Sequence, residues 1–377
     1  MHLVFVTPRY GRDIVGGAEM AVRSYATRIA GRGHRVEVIT STATTLVWDD
    51  TLRAETVAED GVIVHRLRPS QPRLANFSAI YANALATGRL PHAVSADQFL
   101  EDQGPLLDGF EALLDRLDPD RVISYPLLYW PNLQALRWKP SRSVLHPAAH
   151  PEPILSSSIY SELVPRARRI VFQTRSEQDL LNRLFLIGAS RQLVLPLGLD
   201  EPTSDTGPSL SLPATPYLLA LGRVQADKGS RLLTELYRQT QPTLRLIMAG
   251  PLVDPLQPAP NVETLGVVSK AHRDALLANA SAVVIASRYE SFSLVAIEAM
   301  GAGIPLIVNG HNPVLLEQIE HSGGGIAFRT ASELLSAIEL IATDRTLAQT
   351  LGQHGQSYAT THLSWEPIID RYLTFLA

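Results

Sequence analysis

Short apolar runs alternate with longer segments of helical periodicity from the first residues of the chain onward. Residues 3–7 (LVFVT) form an apolar run of strand length, and residues 18–31 place apolar side chains at helical spacing. A second apolar run, residues 36–40, follows after Gly33. A strand, a helix and a strand in this order predict a parallel sheet with a right-handed crossover between the two strands.

The same alternation continues along the chain with one clear interruption. Further apolar runs predict strands at residues 62–67, 121–125, 143–146, 169–174, 192–195, 217–221, 244–249, 262–265, 282–286, 305–308 and 326–328. Residues 201–216 are instead rich in Pro, Ser, Thr and Gly, which is typical of a linker between domains. We therefore expect an α/β protein with a first domain at residues 1–197, a linker at 198–214, a second domain at 215–360 and a final helix at 361–377.

The composition narrows the class of protein. A chain of 377 residues with 45% hydrophobic and 19% charged residues is long enough for two globular cores. A net charge of −4 gives no basic field for nucleic acid, and the lack of cysteine excludes disulfides, thiolate metal sites and cysteine nucleophiles. The sequence has neither an apolar run of about 18 residues that could span a membrane nor the features of a signal peptide, so we expect a cytoplasmic protein.

The stretch with the clearest chemistry is residues 288–303, RYESFSLVAIEAMGAG, which lies between two predicted strands. A strand, loop, helix and strand in this order put Glu290 in the loop at the carboxyl end of a strand, where α/β sheets bind ligands. Glu298 then falls about one turn into the helix, which Ser291 or Ser293 can cap. Helix-start amides favour an anion and two carboxylates suit hydroxyl groups, so the stretch indicates a nucleotide sugar. A solvated loop acid and a first-turn helix acid would give the same spacing.

Two glycine-containing loops offer further anion sites. The predicted strand 217–221 is followed by Gly222 and Arg223, with Lys228 five positions after the arginine. An arginine fork and a lysine point charge could neutralise a leaving diphosphate, although two ordinary surface cations would look the same. Gly16 and Gly17 precede the first helix and would let backbone amides approach an anion or simply form a tight turn. The dinucleotide pattern G-x-G-x-x-G does not occur there.

Two acidic or histidine-containing loops are candidate polar sites. The loop after the predicted strand 143–146 contains His146, His150 and Glu152, but its prolines weaken a metal interpretation, and two partly exposed loop histidines are the simpler alternative. Asp118-Pro119-Asp120 formally matches a D-x-D metal motif, and we interpret it as a helix-to-strand connector.

The glutamate pair of residues 290–298 and the Gly-Arg…Lys-Gly string of residues 222–229 resemble the donor-site motifs of retaining GT-B glycosyltransferases, specifically glycosyltransferase family 4 (glycosyl transferases group 1). The resemblance extends over nearly the whole chain as an order of strands and loops. It implies two facing Rossmann-like domains with parallel sheets and an interdomain cleft. The first domain would bind the acceptor and the second the nucleotide sugar, and the final helix would pack back on the first domain.

The resemblance also implies roles for individual residues. Glu298 would hold the nucleotide ribose and Glu290 the donor sugar, while Arg223 and Lys228 would stabilise the departing diphosphate. His150 would orient the sugar, with His146 as the second choice. The implied donor site comprises Gly16, Gly17, Gly222, Arg223, Lys228, Glu290, Ser291, Phe292, Ser293 and Glu298, and the implied catalytic residues are His150, Glu290, Arg223 and Lys228. No metal and no cofactor beyond the donor itself are expected.

We therefore expect a retaining transferase that moves a sugar from a nucleoside-diphosphate sugar, preferably a UDP- or GDP-sugar, to an acceptor hydroxyl. The acceptor, whether lipid, polysaccharide or small molecule, is not encoded in a recognisable pattern, and a peripheral membrane contact stays open. Two alternatives share the same donor motifs. One is a GT-B sugar-nucleotide 2-epimerase, which consumes no acceptor, and the other is a non-catalytic nucleotide-sugar-binding protein.

Overall fold

The computed structural model describes residues 1–14, 16–90, 95–201, 212–213 and 216–377. The chain divides into two compact units, of which the first is Met1–Pro196 together with Ile369–Ala377 and the second is Leu197–Ile368. Most of the predicted linker, residues 202–211 and 214, lies outside the described residues. The two units are described in turn.

The first unit contains an eight-stranded sheet among its described residues. Its strands are β1 His2–Val6, β2 Arg35–Ser41, β3 Thr56–Glu59, β4 Val62–Leu67, β5 Arg121–Ser124, β6 Ser143–Leu145, β7 Arg169–Phe172 and β8 Gln192–Val194. Their order across the sheet is β3-β4-β2-β1-β5-β6-β7-β8, and only the β3–β4 pair is antiparallel. Leu3, Val4, Phe5 and Val6 are all buried, as expected for a strand covered on both faces of a parallel sheet.

The helices of the first unit connect these strands. They are α1 Gly17–Gly31, α2 Phe77–Thr87, α3 Ala96–Gln103, α4 Phe110–Leu117, α5 Trp130–Trp138, α6 Ser158–Leu163 and α7 Arg175–Leu184. One apolar core lies between α2, α3, α5, α6 and the strands β6 and β7. The strand assignments made from sequence are confirmed to within about two residues, but β3 was missed because only two of its four residues are apolar and none is fully buried.

The second unit contains a six-stranded parallel sheet. Its strands are β9 Tyr217–Leu221, β10 Arg245–Ala249, β11 Val262–Gly266, β12 Ala282–Ile285, β13 Leu306–Asn309 and β14 Gly325–Phe328. The described helices of this unit are α8 Ser230–Thr240, α9 Lys270–Ala278, α10 Leu294–Gly301, α11 Pro313–Ser322, α12 Ala331–Thr343 and α13 Arg345–His362. The last helix, α14 Trp365–Leu376, begins in the second unit, and its residues from Ile369 onward belong to the first.

The strand order of the second sheet creates a topological switch point. The order is β11-β10-β9-β12-β13-β14, so the chain builds the sheet outward from β9 in one direction and then resumes beside β9 with β12. The loops that follow β9 and β12 therefore diverge from neighbouring strand ends. Open α/β sheets bind their ligands at such positions. Within the described part of the chain, no helix is both long enough and apolar enough to cross a membrane.

Candidate functional site

The loops after β9 and β12 are held in direct contact. Gly229 has φ +83°, and a Cβ atom built on it would lie 2.4 Å from the Cβ of Ala286. The backbone amide of Arg288 donates a hydrogen bond of 2.9 Å to the carbonyl of Asp227, which joins the two loops a second time. A glycine is required at position 229 both for its backbone conformation and for this close approach.

This contact brings together Lys228 and Glu290, two of the residues predicted from sequence. Lys228 Nζ lies 2.8 Å from Glu290 Oε1, and the side chains keep 29% and 14% of their exposure. The pair is therefore accessible to a ligand without being fully solvated. A lysine in such a position can bind a phosphate oxygen, while the neighbouring carboxylate accepts hydrogen bonds from hydroxyl groups.

The helix that follows, α10, is capped by Ser293. The Ser293 hydroxyl accepts a hydrogen bond of 3.4 Å from the amide of Ala296, so Ser293 is the N-cap and Ser291 precedes it in the loop. Gln318 of α11 donates to the Ser293 carbonyl at 3.5 Å. Phe292 is partly buried and packs on the core of the unit. The predicted segment from Ser291 to Ser293 thus forms the entrance to α10, directly after Glu290.

Glu298 forms an ion pair with Arg273 of α9. The carboxylate keeps 19% and the guanidinium side chain 26% of their exposure. Burial disfavours the charged guanidinium, but the Glu298 carboxylate more than offsets this, so the pKa of Arg273 lies above its ordinary value. The sequence analysis did not single out Arg273, because its partner is 25 positions away on the next helix and no local pattern marks the contact.

Glycines also bring the ends of β9 and β10 close together. A Cβ atom on Gly250, which has φ +148°, would lie 1.9 Å from the carbonyl oxygen of Gly222, and the Gly222 amide donates 3.0 Å to Ala249. Gly222 itself has φ +115° with open space where a Cβ would be. Arg223 is exposed and, among the described residues, forms no ion pair. The predicted Gly-Arg string therefore lies at the switch point with its guanidinium exposed to solvent.

In the first unit, Gly16 has a packing role that the sequence did not predict. Its φ of 175° is ordinary extended backbone, but a Cβ atom there would lie 2.2 Å from Glu19 Oε2. Glu19 is buried and accepts a hydrogen bond of 3.0 Å from Arg9 Nε. The start of α1 thus already faces a carboxylate of the chain itself, and Gly17 is exposed beside it. An approach of donor phosphates to Gly16 and Gly17 stays a prediction.

The two histidines of the loop after β6 differ sharply. His146 is fully buried among Tyr25, Tyr125 and Tyr372, and its Nε2 lies 2.9 Å from the Tyr372 hydroxyl. Burial lowers the pKa of His146 to about 3, so its ring is neutral at physiological pH. The interpretation of two partly exposed loop histidines is wrong for His146, which is a core residue.

His150 instead keeps 22% of its side-chain exposure and contacts a buried carboxyl. Its Nε2 lies 3.1 Å from Oε1 of Glu152, and the Tyr81 hydroxyl donates a hydrogen bond of 2.7 Å to Oε2 of the same group. Burial raises the pKa of Glu152 to about 8, an effect that the Tyr81 hydrogen bond partly opposes. Tyr81 lies on α2 and was not among the candidate site residues predicted from the sequence.

The aspartates of the D-x-D match have structural partners. Asp118 ends α4 in the left-handed region with φ +40°, and Lys139 and Arg142 each donate to it at 2.8 Å. Asp120 Oδ2 accepts a hydrogen bond of 2.7 Å from the His2 amide. These contacts agree with a helix-to-strand connector. No group of three or more His, Cys, Asp or Glu side chains among the described residues is arranged to hold a metal ion.

Comparison with known proteins finds a family match that lies within the second unit. Residues 208–358 match the family model described as glycosyl transferases group 1. The glycogen synthase of Mycobacterium tuberculosis (strain H37Rv) is 26% identical over 229 residues, which are 56% of this chain and 54% of that protein. The chain thus spans about half the length of the curated relatives it matches.

Two solved structures resemble the chain over almost its full length. Sucrose-phosphate synthase from Thermosynechococcus elongatus has a TM-score of 0.74 at 18% identity and covers 99% of this chain and 97% of its own. Anabaena HepE in complex with UDP and glucose has a TM-score of 0.67 at 15% identity, covering 100% and 99%. The GT-B fold class predicted from the sequence, and the resemblance to GT-B glycosyltransferases of group 1, are confirmed. Membership of family 4 in particular stays a prediction.

Proposed function

We propose that this chain, whose residues 208–358 match the glycosyl transferases group 1 family model, moves a sugar from a nucleoside diphosphate to an acceptor hydroxyl with retained anomeric configuration. The observation that carries the proposal is the contact between the loops after β9 and β12. It places an ammonium and a carboxylate 2.8 Å apart at the switch point of the second sheet.

The charge requirement of the reaction explains why Lys228 and Arg223 are needed. When the bond between the anomeric carbon and the diphosphate breaks, the leaving oxygen gains negative charge, and preorganised cations stabilise that charge. Lys228 is held in place by Glu290, while Arg223 is exposed and can close on the diphosphate. The acceptor oxygen forms the new bond to the anomeric carbon and passes its proton to the leaving diphosphate oxygen, and retention puts this bond on the face that the diphosphate left.

The carboxylates take the hydroxyl groups of the donor. We assign Glu298 to the ribose, where Arg273 holds its carboxylate in a fixed orientation, and Glu290 to the sugar that is transferred. The amides at the entrance to α10, from Ser291 to Ser293, assist Glu290. In the first unit His150 hydrogen-bonds a hydroxyl of the reacting sugar.

The reaction as proposed needs no metal ion, because Arg223, Lys228 and the amides at the start of α10 supply the compensating positive charge. A UDP-sugar is the first donor to test, since Anabaena HepE, which has a similar fold, binds UDP and glucose. GDP-sugars are the second choice. The acceptor is proposed only as a hydroxyl compound.

Ligand-dependent stability tests the donor site directly. Thermal unfolding is measured with UDP, GDP, ADP and their sugars in the presence of EDTA, for the wild type, Glu298→Ala and the exposed control Glu320→Ala. A ligand at 100 times its Kd adds about 2.7 kcal/mol of stability, so one nucleotide family is expected to raise Tm in the wild type and the control but far less in Glu298→Ala. If no nucleotide raises Tm in the wild type, the proposal is wrong.

Product analysis then tests the reaction. Incubation of the identified donor with candidate acceptors should release the nucleoside diphosphate, and NMR of the product should give the anomeric configuration of the donor. Conversion of the donor without any acceptor would favour an epimerase instead. Tight binding with no turnover of any donor and acceptor pair would favour a binding protein.

A further inference from the structure

The carboxyl of Glu152 is completely buried in the first unit, with a side-chain exposure of 0%. The residue precedes the short helical turn Pro153–Ser156. Tyr81 donates a hydrogen bond of 2.7 Å to Oε2, whereas the buried Oε1 accepts none among the described residues and lies 3.1 Å from His150 Nε2. A carboxyl withdrawn from water with one oxygen unpaired favours its uncharged form unless a positive charge lies beside it.

The loop that presents His150 is held at several points. Glu177, itself buried, accepts hydrogen bonds from the amide of Ala149 at 2.8 Å and from the amide of Gln173 at 2.7 Å. Ala148 has φ +46°, a left-handed conformation that a non-glycine residue adopts only where the surroundings impose it. The backbone next to His150 is therefore fixed by contacts that do not involve its ring, and the ring lies beside Glu152.

We propose that Glu152 is a positioning residue for His150: the two side chains together hold one proton, so that the pair is electrically neutral and the imidazole stays beside the buried Oε1, 3.1 Å away. The significance of this pair for sugar transfer rests on the proposed function, whereas the pairing itself does not.

Among the residues that the structure describes, no second compensating charge lies beside Glu152. Tyr81 faces it from α2, and Tyr160 of α6, whose pKa is raised well above its usual value by burial and then by Glu152, is also uncharged. His150 is thus the one described neighbour that can carry a positive charge toward Glu152. When the shared proton is lost, an uncompensated carboxylate remains in a buried site, which is strongly unfavourable. Burial accordingly raises the pKa of Glu152 to about 8.

An NMR titration tests the pairing without any substrate. The His150 ring signals are assigned with His150→Asn and followed from pH 5 to 10 in the wild type, Glu152→Gln and the exposed control Glu162→Gln. In the wild type and the control we expect a step near pH 8, the value to which burial raises the pKa of Glu152. In Glu152→Gln that step should be lost. An identical titration of His150 in the wild type and in Glu152→Gln overturns the proposal.

Tyr81→Phe provides a second test that leaves the carboxyl in place. Because the Tyr81 hydrogen bond lowers the pKa of Glu152, its removal should move the step at His150 to higher pH. A step that stays at its wild-type position in Tyr81→Phe, or one that moves to lower pH, contradicts the assignment. This variant carries the test if Glu152→Gln does not fold.

An activity profile separates a positioning role from a purely structural one. We expect wild-type kcat to fall above pH 8. In Glu152→Gln this pH dependence should be lost and kcat should be about tenfold lower than in the wild type. The Kd of the variant for the nucleotide alone should be unchanged. An unaltered kcat profile in Glu152→Gln overturns the positioning role. Failure of the wild type to bind any nucleotide would overturn the proposed function instead, and the NMR result would stand independently of it.

Discussion

The carboxylates of the two units have opposite kinds of partner. Glu290 and Glu298 in the second unit each face a full positive charge, Lys228 or Arg273, and keep 14% and 19% of their exposure. Glu152 in the first unit is completely buried, and its partners are a tyrosine hydroxyl and a histidine ring. The same residue type is thus arranged in one unit to accept hydrogen bonds as an anion and in the other to hold a proton.

The difference follows from where each residue lies in its sheet. Glu290 lies five residues beyond the end of β12 at the switch point, where two diverging loops leave access for a ligand and for water. Glu152 lies seven residues beyond the end of β6 and is covered by α2 and α6. Where water has access, a ligand can replace one partner of an ion pair. In a buried site, the protonation state of the acid depends on its immediate neighbour.

The largest expected effect is that of Lys228→Ala on sugar transfer. Removing one preorganised donor from a developing charge typically costs about 100- to 1,000-fold in kcat, and we expect a loss of this size. Lys270→Ala is the matched control, because Lys270 forms an exposed ion pair with Asp274 within α9. The measurement is the initial rate of sugar transfer from the identified donor by the wild type and the two variants. Comparable rates for the wild type and Lys228→Ala would mean that the ion pair with Glu290 is only structural.

Gly229→Ala should separate the two loops that create this ion pair. The new Cβ would lie 2.4 Å from Ala286 Cβ, and φ +83° is unfavourable for alanine. Overpacking costs about 1–3 kcal/mol and a left-handed alanine adds about 1 kcal/mol, so we expect a loss of about 2–4 kcal/mol in unfolding free energy. Gly33→Ala is the control, since φ is +81° there but no atom lies within 4 Å of the new Cβ. If urea unfolding shows the same loss of unfolding free energy for both variants, the close contact between the two loops does not contribute to stability.

Glu298→Ala should weaken nucleotide binding more than it changes stability. A hydrogen bond to a charged group contributes about 1.5–3 kcal/mol, which corresponds to about 10- to 150-fold in Kd. Arg273→Ala should weaken binding less, and the double variant should be no worse than Glu298→Ala alone, because Arg273 acts through that carboxylate. Calorimetric titration with the nucleoside diphosphate measures all three. Additive losses would show that Arg273 contacts the nucleotide by itself.

The sequence predicted most of the second unit because its chemistry is local. Glu290 and Glu298 lie on one loop and helix, and Arg223 and Lys228 lie on another, so spacing along the chain was enough to find them. The α/β fold followed in the same way from apolar runs of strand length. The sequence could not reveal that Lys228 meets Glu290, because that contact depends on the adjacency of β9 and β12 in the sheet.

The contacts of the first unit were harder to predict for the same reason. Tyr81 reaches Glu152 from 71 positions away, and no pattern along the intervening helices and strands brings the two together. His146 and His150 are four residues apart, and the sequence did not reveal that one lies in an aromatic core while the other keeps 22% of its exposure. Burial, which decides their chemistry, is a property of the packing of α2, α6 and α14 around the loop.

The smallest effect, the pH dependence of stability, provides a further comparison within the first unit. His146 is buried as a neutral ring with a pKa lowered to about 3, whereas an unfolded histidine titrates near 6.5. Between these two values the unfolded chain binds more protons than the folded one, so His146 should make the protein lose stability as pH falls below 6.5. The slope for one group is at most about 1.4 kcal/mol per pH unit.

Glu152 should act in the opposite direction. Its pKa in the folded chain is raised to about 8, so between about pH 4.5 and 8 the folded chain binds the additional proton, and this contribution to stability is lost as pH rises. Urea unfolding at intervals from pH 4.5 to 8 gives the free energy of unfolding as a function of pH. Below pH 6.5 this free energy should fall less steeply for His146→Phe than for the wild type. Toward pH 8 it should fall less steeply for Glu152→Gln than for the wild type. If both variants follow the wild-type curve in parallel, burial does not set the proton affinity of these two residues, and the contrast between the units reduces to a difference in exposure.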